Sequence, residues 1–407
     1  MRVLLLLPAA GYANQDFQQA AQKLGVDVIT CADFCHQLAP GWGLPPLMSV
    51  AFDQVDTSVP RILAMLDQPV DAVLAGDDHG VALAAHLREA LGLPGNGVAA
   101  VMHLRDKLRF RELQQQHGLL HPPYAAIAHD ATGESAAARL GFPLVVKSRQ
   151  LNASRGVIRA DNPSEYSRAL AQVRRIQARY LRNADALGVL IEGFIPGVEV
   201  ALEGVLRGGE LQVLALFDKP DPLDGPVFEE SIYVTPSRLP EHTQTAIADA
   251  VSRACAAAEI TEGVIHAEAR INDAGVWLLE IAPRAMGGLC GRILEATLGM
   301  GSAEIVLRQA LSLPMDLQSS HAAAGVMMIP IPTSGVLQVI DGVEAARATP
   351  GITGIEITAA IGQLIAPPPE GASYLGFIFS RADTPAEAEA ALRFAHAQLA
   401  IHIQALI

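Results

Sequence analysis

The chain has 407 residues, half of them hydrophobic, and carries a formal net charge of −14 at neutral pH. That length calls for roughly two or three domains, with ample material for buried sheets and helices. The acidic balance argues against nucleic acid, whose binders present a basic field, and no apolar run is long enough to span a membrane. Small molecules are the expected partners.

Four cysteines, Cys31, Cys35, Cys255 and Cys290, lack the spacing of a zinc or redox pair and are too few to staple a secreted domain. They read as reduced thiols of a cytoplasmic protein. The start of the chain mimics a signal peptide, but Pro8 stops the apolar run Val3-Leu4-Leu5-Leu6-Leu7 short of the roughly seven to fifteen residues such a region needs.

Residues 3–7 predict a fully apolar strand, followed by Pro8-Ala9-Ala10-Gly11 and a helix to about residue 24. Further strands at 26–30 and 72–75, with helices between, argue a parallel, doubly wound sheet. Ligands gather at the carboxyl ends of such strands, which places Gly11 and the Gly76-Asp77-Asp78 turn beside a crevice; as single residues, Asp77 and Asp78 read first as turn and helix cap. A dinucleotide fingerprint is absent, since one glycine follows the first strand rather than three. The breaker cluster at 91–97 puts the end of this domain just beyond it, at 101. Segment 102–118, with Arg105, Asp106, Lys107, Arg109 and Arg111, reads as a helix with a solvated, charged face.

Residues 142–147 predict a buried strand ending in Lys147. The loop 148–157, SRQLNASRGV, has the small and polar residues that suit backbone amides aimed at an anion. A return strand at 158–160, a helix over 163–180 and a polar run near 183–187 follow. Strand 189–192 ends in Glu192; a Pro-Gly turn then leads to Glu199 and to strands at 200–206 and 211–217. The acidic, Pro-rich stretch 218–236 lacks periodicity and predicts a long functional loop. Beyond a helix over 239–259 and a hairpin, a short helix runs to about 312 and a linker covers 314–321. Apolar runs at 326–329 and 377–379 and an Ala-rich helix over 385–400 close the chain.

The hairpin joins strands 264–271 and 275–281 through Asn272-Asp273-Ala274-Gly275. Glu268 sits mid-strand and Glu280 ends an apolar run. A charge inside a sheet is costly without a partner or a metal, so the two acids can face one another and share a cation. Oxygen-only ligands of this kind suit Mg²⁺, and Arg284 adds a fork-shaped donor for a phosphoryl or carboxylate oxygen. An ordinary hairpin with two exposed acids and a surface arginine is the alternative.

The order Lys107, Lys147, Ser154-Arg155-Gly156, Glu192 and Glu199, Glu268 and Glu280, then Arg284 resembles the ATP-grasp superfamily over most of the chain. FDKPDPLDGPVFEESIYVTPSRLP and EIAPRAMGGLCGRIL are similar to the carboxylate-amine ligases of the L-amino-acid ligase and carnosine-synthase-like group. The resemblance implies an α/β chain with a doubly wound domain at 1–101, an ATP-grasp domain at 102–313 with a small lid lobe at about 120–190, and an α+β subdomain at 314–407. It implies that Lys107 and Lys147 hold phosphates, that Ser154, Arg155 and Gly156 close over them, and that Glu192 and Phe194 lie at the adenine edge. Glu199 matches the ribose acid, Glu268 and Glu280 the metal ligands, and Arg284 the arginine beside the transferred phosphate.

The expected activity is ATP-dependent activation of a carboxylate as an acyl phosphate and its capture by an amine. ATP and Mg²⁺ are the implied cofactors, in one or two ions and with Mn²⁺ as a substitute; a homodimer is an option. Ala282 departs from the pattern, since asparagine usually stands two residues after the second metal acid. His266 is open between carboxylate binding, base catalysis on the amine and a core role. Glu229, Glu230 and Lys219 either contact substrate or cap the loop. A biotin-carboxylase-like enzyme and a non-catalytic nucleotide-binding regulator are the rival readings.

Overall fold

The computed structural model describes residues 1–8, 11–33, 48–318 and 320–406; Cys35 lies outside them. Among the described residues the strands form four sheets. In the first, parallel strands Arg2–Leu7, Asp27–Ala32, Met48–Ser49 and Ala72–Ala75 are ordered with Arg2–Leu7 between Asp27–Ala32 and Ala72–Ala75. Both faces of Arg2–Leu7 are covered, which accounts for its unbroken apolar run. Leu4 and Leu6 join Leu83 and Leu87 of helix Asp78–Leu91, while Val3 and Leu5 join Phe17 of helix Asn14–Leu24. Helix Asp78–Leu91 seats tightly because a Cβ at Gly80 would lie 3.1 Å from Ala75 and 3.2 Å from Leu6. Its N-terminus therefore opens at the carboxyl end of Ala72–Ala75.

Segment 102–118 differs from the expected single solvated helix. Helix Val98–Arg105 stops at Asp106, whose carboxylate accepts from the Leu108 amide at 3.0 Å and so starts helix Lys107–Gln116. Lys107 and Arg111 are buried, Arg111 completely. The pattern of charges was that of a surface helix; burial follows from acids supplied by distant segments.

Strands Tyr124–Ile127, Leu144–Ser148, Val157–Ala160 and Val189–Gly193 make an antiparallel sheet backed by helix Pro163–Tyr180. An eight-stranded antiparallel sheet runs in spatial order Gly275–Ala282, Gly263–Asn272, Val198–Arg207, Glu210–Asp218, Ile232–Thr235, Ala323–Ile329, Gly376–Ala382, Ile352–Ile357. Ile232–Thr235 lies inside the stretch expected to be loop throughout. Four apolar or β-branched residues between Glu229-Glu230 and Pro236 carry little local signal, and they become a strand by pairing with Ala323–Ile329. The last sheet consists of Leu364–Ile365, Gly335–Asp341 and Ala400–Gln404. None of the described helices is long and apolar enough to cross a membrane.

Candidate active site

Strand alternation sorts the central sheet into an apolar face and a charged one. On Val198–Arg207, Val200, Leu202 and Leu206 pack against helix Glu241–Ala257, so Glu199 and Glu203 point the other way. On Gly263–Asn272, Ile265, Ala267 and Ala269 join the same apolar cluster, leaving His266, Glu268 and Arg270 beside Glu199 and Glu203. The neighbouring strand needs a correction of phase to contribute. Leu278 packs with the apolar cluster, and strict alternation would send Glu280 there too. A bulge between Glu268 and Ala269 in the register makes Glu268 the partner of Glu280, leaving Leu279 as the extra residue. Glu280 and Ala282 thereby reach the charged face while Ile281 returns to the apolar one.

This face floors a cavity of about 780 Å³ bounded above by the four-stranded antiparallel sheet that contains Lys147 and Glu192, and at its sides by the first sheet and the C-terminal residues. His266 and the residues that the resemblance assigns to the site all line it except Gly156, which ends the loop above it; of the further candidates Glu230 lines it, whereas Lys219 and Glu229 do not. Lys107 Nζ donates to the Leu151 carbonyl at 2.8 Å and pairs with Glu280 at 2.9 Å. Lys147 Nζ pairs with Glu192 at 2.7 Å, and Arg111 Nε donates to the same carboxylate at 2.9 Å. Burial alone would raise the Glu192 carboxyl, but the Arg111 and Lys147 charges outweigh it and hold the group at about 2. Arg111 also donates to the Leu279 carbonyl at 2.7 Å, tying the helix to the bulge.

A second network surrounds Lys219, whose ammonium lies 3.0 Å from Glu199 and 3.5 Å from Glu268 and also contacts Glu230. Burial works against that charge, yet the surrounding acids hold the lysine well above its ordinary range. Oxygens of Glu199, Glu230 and Glu268 lie within 4.8 Å of one another. Glu280 belongs to the Lys107 pair instead. Arg270 donates to the other Glu199 oxygen at 2.8 Å. His266 bridges Glu203 at 3.1 Å and Glu268 at 3.5 Å, and despite burial these two acids push its imidazole up to about 9.

The Pro196-Gly197 turn connects the four-stranded sheet above the cavity to its floor. Gly197 has φ +133°, and a Cβ there would fall 2.2 Å from the Ile271 carbonyl, so only glycine lets the chain turn this close to the hairpin. The Phe194 amide donates to Pro143 at 3.0 Å, while its ring stacks near Phe228 and lies under the guanidinium groups of Arg159 and Arg270. In the loop, Ala153, Ser154 and Gly156 all adopt positive φ, and the Arg155 and Val157 amides donate back to the Asn152 and Ser154 carbonyls at 3.1 and 3.2 Å. Arg155 stacks over Tyr180 at 4.1 Å, and the Gly156 amide donates to Pro369 of the C-terminal region at 2.9 Å.

Residues 140–293 match an ATP-grasp domain and residues 327–404 an L-amino acid ligase C-terminal domain 2. The crystal structure of an L-amino acid ligase from Bacillus licheniformis superposes with a TM-score of 0.81 at 26% identity, covering 98% of each chain. The chain contains an ATP-grasp domain. Among curated relatives of this ATP-grasp protein, carnosine synthase 1 of Gallus gallus is 28% identical over 80% of this chain, and a D-alanine--D-alanine ligase of Ectopseudomonas mendocina is 31% identical over 48%. The chain spans 37% of the length of the first and 61% of the second.

Several residues that organise this ATP-grasp cavity escaped sequence reasoning. Arg111 has the sequence signature of a surface charge, and Glu203, Arg270 and Asn152 stand outside the motifs that mark the site. Alternation gave a usable signal for two of them, because Glu203 and Arg270 share a strand phase with Glu199 and Glu268. Arg111 and Asn152 carry no such local signal, since their partners lie far along the chain.

Proposed function

We propose that this ATP-grasp protein is an ATP-dependent carboxylate-amine ligase that forms an amide or dipeptide from small acids and amines, amino acids foremost, releasing ADP and phosphate. The observation that carries it is the convergence of Lys107, Lys147, Glu268, Glu280 and Arg284 on one cavity in a chain similar along its whole length to an L-amino acid ligase. Lys107 and Lys147 would give up part of their present ion pairing to the α and β phosphates, as flexible point charges can. The loop of Ser154, Arg155 and Gly156 would cover the triphosphate and keep water from an acyl phosphate. Glu192 and the hinge at Phe194 would border the base, and Glu199 the ribose. Arg284 would meet the charge that develops as the γ-phosphoryl passes to the substrate carboxylate. His266, set between two acids at the cavity floor, is assigned to the substrate carboxylate or the incoming amine.

The donor set fits a hard divalent cation, because Glu268 and Glu280 present cross-strand carboxylates on the cavity face. Mg²⁺ held by them would neutralise phosphate charge; a second ion would draw on water where Ala282 offers no oxygen, and Mn²⁺ accepts the same ligands. A cytoplasmic setting suits the free, buried thiols of Cys31, Cys255 and Cys290. The test is ADP and phosphate release over a matrix of amino acids and small carboxylates with amines, bicarbonate being one row. Amide products with ADP in equal amount are expected; turnover only with bicarbonate, or nucleotide binding without turnover anywhere, would overturn the proposal.

A further inference from the structure

Asp78 opens helix Asp78–Leu91, but it does not cap it. Asp77 does, accepting from the His79 amide at 2.9 Å. The Asp78 carboxylate is turned instead toward the cavity, where one oxygen, Oδ2, accepts from Arg284 Nη2 at 2.6 Å and from Asn152 Nδ2 at 2.9 Å. Its side chain is 13% exposed and that of Arg284 14%. Three separate parts of the chain meet at this oxygen: the first sheet, the loop after Lys147, and the segment that follows the hairpin. The adjacent loop residue is tied in parallel, since Lys107 Nζ holds the Leu151 carbonyl and the Glu280 carboxylate together. Arg284 has one further anchor, Nη1 to the Ala285 carbonyl at 2.7 Å. Without Asp78 its guanidinium would keep a single local bond and lose its only ion pair among the described residues.

Taking the cavity as the ATP site proposed above, we infer that Asp78 is a positioning residue that couples closure of the 151–156 loop to the alignment of Arg284. With the loop seated, Asn152 and Arg284 share one acceptor and fix each other's direction. With the loop lifted, Asn152 leaves and the arginine is held from one side only. The first sheet thus enters the phosphoryl-transfer step through the seating of Gly80 against Leu6 and Ala75, which fixes where Asp78 stands. Interactions of this sort act on geometry in the transition state more than on ground-state binding.

The variants are Asp78→Asn, which keeps the shape and one acceptor while removing the charge, Asn152→Ala, and the pair together. Two readouts are taken: tryptic cleavage after Arg155 with and without the magnesium complex of β,γ-imido-ATP, and kcat and KM for ATP in ADP release with the substrates that turn over fastest. Asp78→Asn should bind the analogue within about threefold of wild type, lose protection of the Arg155 site, and lower kcat by about 10–100-fold. The double variant should be no slower than the slower single one, because both break the same link. A merely structural aspartate would lower the melting temperature and leave this split and this non-additivity absent. Asp78→Asn with wild-type kcat and protection, or single effects that multiply in the pair, would overturn the coupling while leaving the ATP reading intact. Failure of the wild type to bind the analogue would overturn both.

Discussion

Replacing Glu192 by glutamine probes a deeply buried charge network. The carboxylate is 2% exposed and faces Arg111, which is fully buried, and Lys147. Its folded value of about 2 against an ordinary 4.5 corresponds to about 3 kcal/mol of stabilisation at neutral pH. The same figure follows from the roughly 3–5 kcal/mol cost of leaving a buried partner uncompensated. Glutamine keeps an oxygen for one of the two donors, so the lower end is expected. Because the folded carboxyl is depressed, this stability is complete above the unfolded value near 4.5 and is lost as pH falls toward about 2. Thermal unfolding followed by circular dichroism should therefore show Glu192→Gln melting lower at pH 7, on the order of 5–10 °C for a cooperative unit of this size. The difference should narrow between about pH 5 and pH 3, as the wild type loses what the variant never had. Equal melting temperatures at pH 7, or a gap that does not shrink in acid, would refute the claim that Glu192 neutralises Arg111 and Lys147.

Lys147→Met keeps length without charge; ATP affinity, read by calorimetry, should weaken by at least about tenfold if the ammonium serves the phosphates, and unchanged affinity would remove Lys147 from that role. Glu280→Gln should lower turnover by about two orders of magnitude or more at limiting Mg²⁺ with the melting temperature nearly unchanged, and wild-type turnover there would sink the metal assignment. Ala282→Asn, placed on the cavity face beside Glu280, should shift the rate against free Mg²⁺ at saturating ATP to lower concentration. Coincident curves for the two proteins would mean that position 282 contributes nothing to a second ion.

Where composition and period carried the information, the chain could be read directly. The unbroken apolar run of the first strand, the helix Pro163–Tyr180 and the hairpin turn at Asn272-Asp273-Ala274-Gly275 all follow from rules acting within a few residues. The candidate site residues were expected because their order, from Lys107 to Arg284, resembles the ATP-grasp superfamily, and all of them but Gly156 line one cavity. The facing of Glu268 and Glu280 was also expected, but its cause was hidden, because alternation alone would have put Glu280 on the apolar face and the bulge at Leu279 reverses it.

What the linear pattern could not decide is which charge meets which. Arg111 among Lys107 and Arg109 looks like a solvated helix until Glu192 and the Leu279 carbonyl arrive from other strands and enclose it. Ile232–Thr235 is a strand because Ala323–Ile329 and Glu210–Asp218 lie on either side of it. Asp78 has the local signature of a helix start, and its partnership with Arg284 and Asn152 exists only once three segments are folded against each other. Hydrophobic period is a property of neighbours along the chain, so sequence determined the strongly periodic elements and their buried faces. Ion pairing depends on distance in space, and only the tertiary structure sets that.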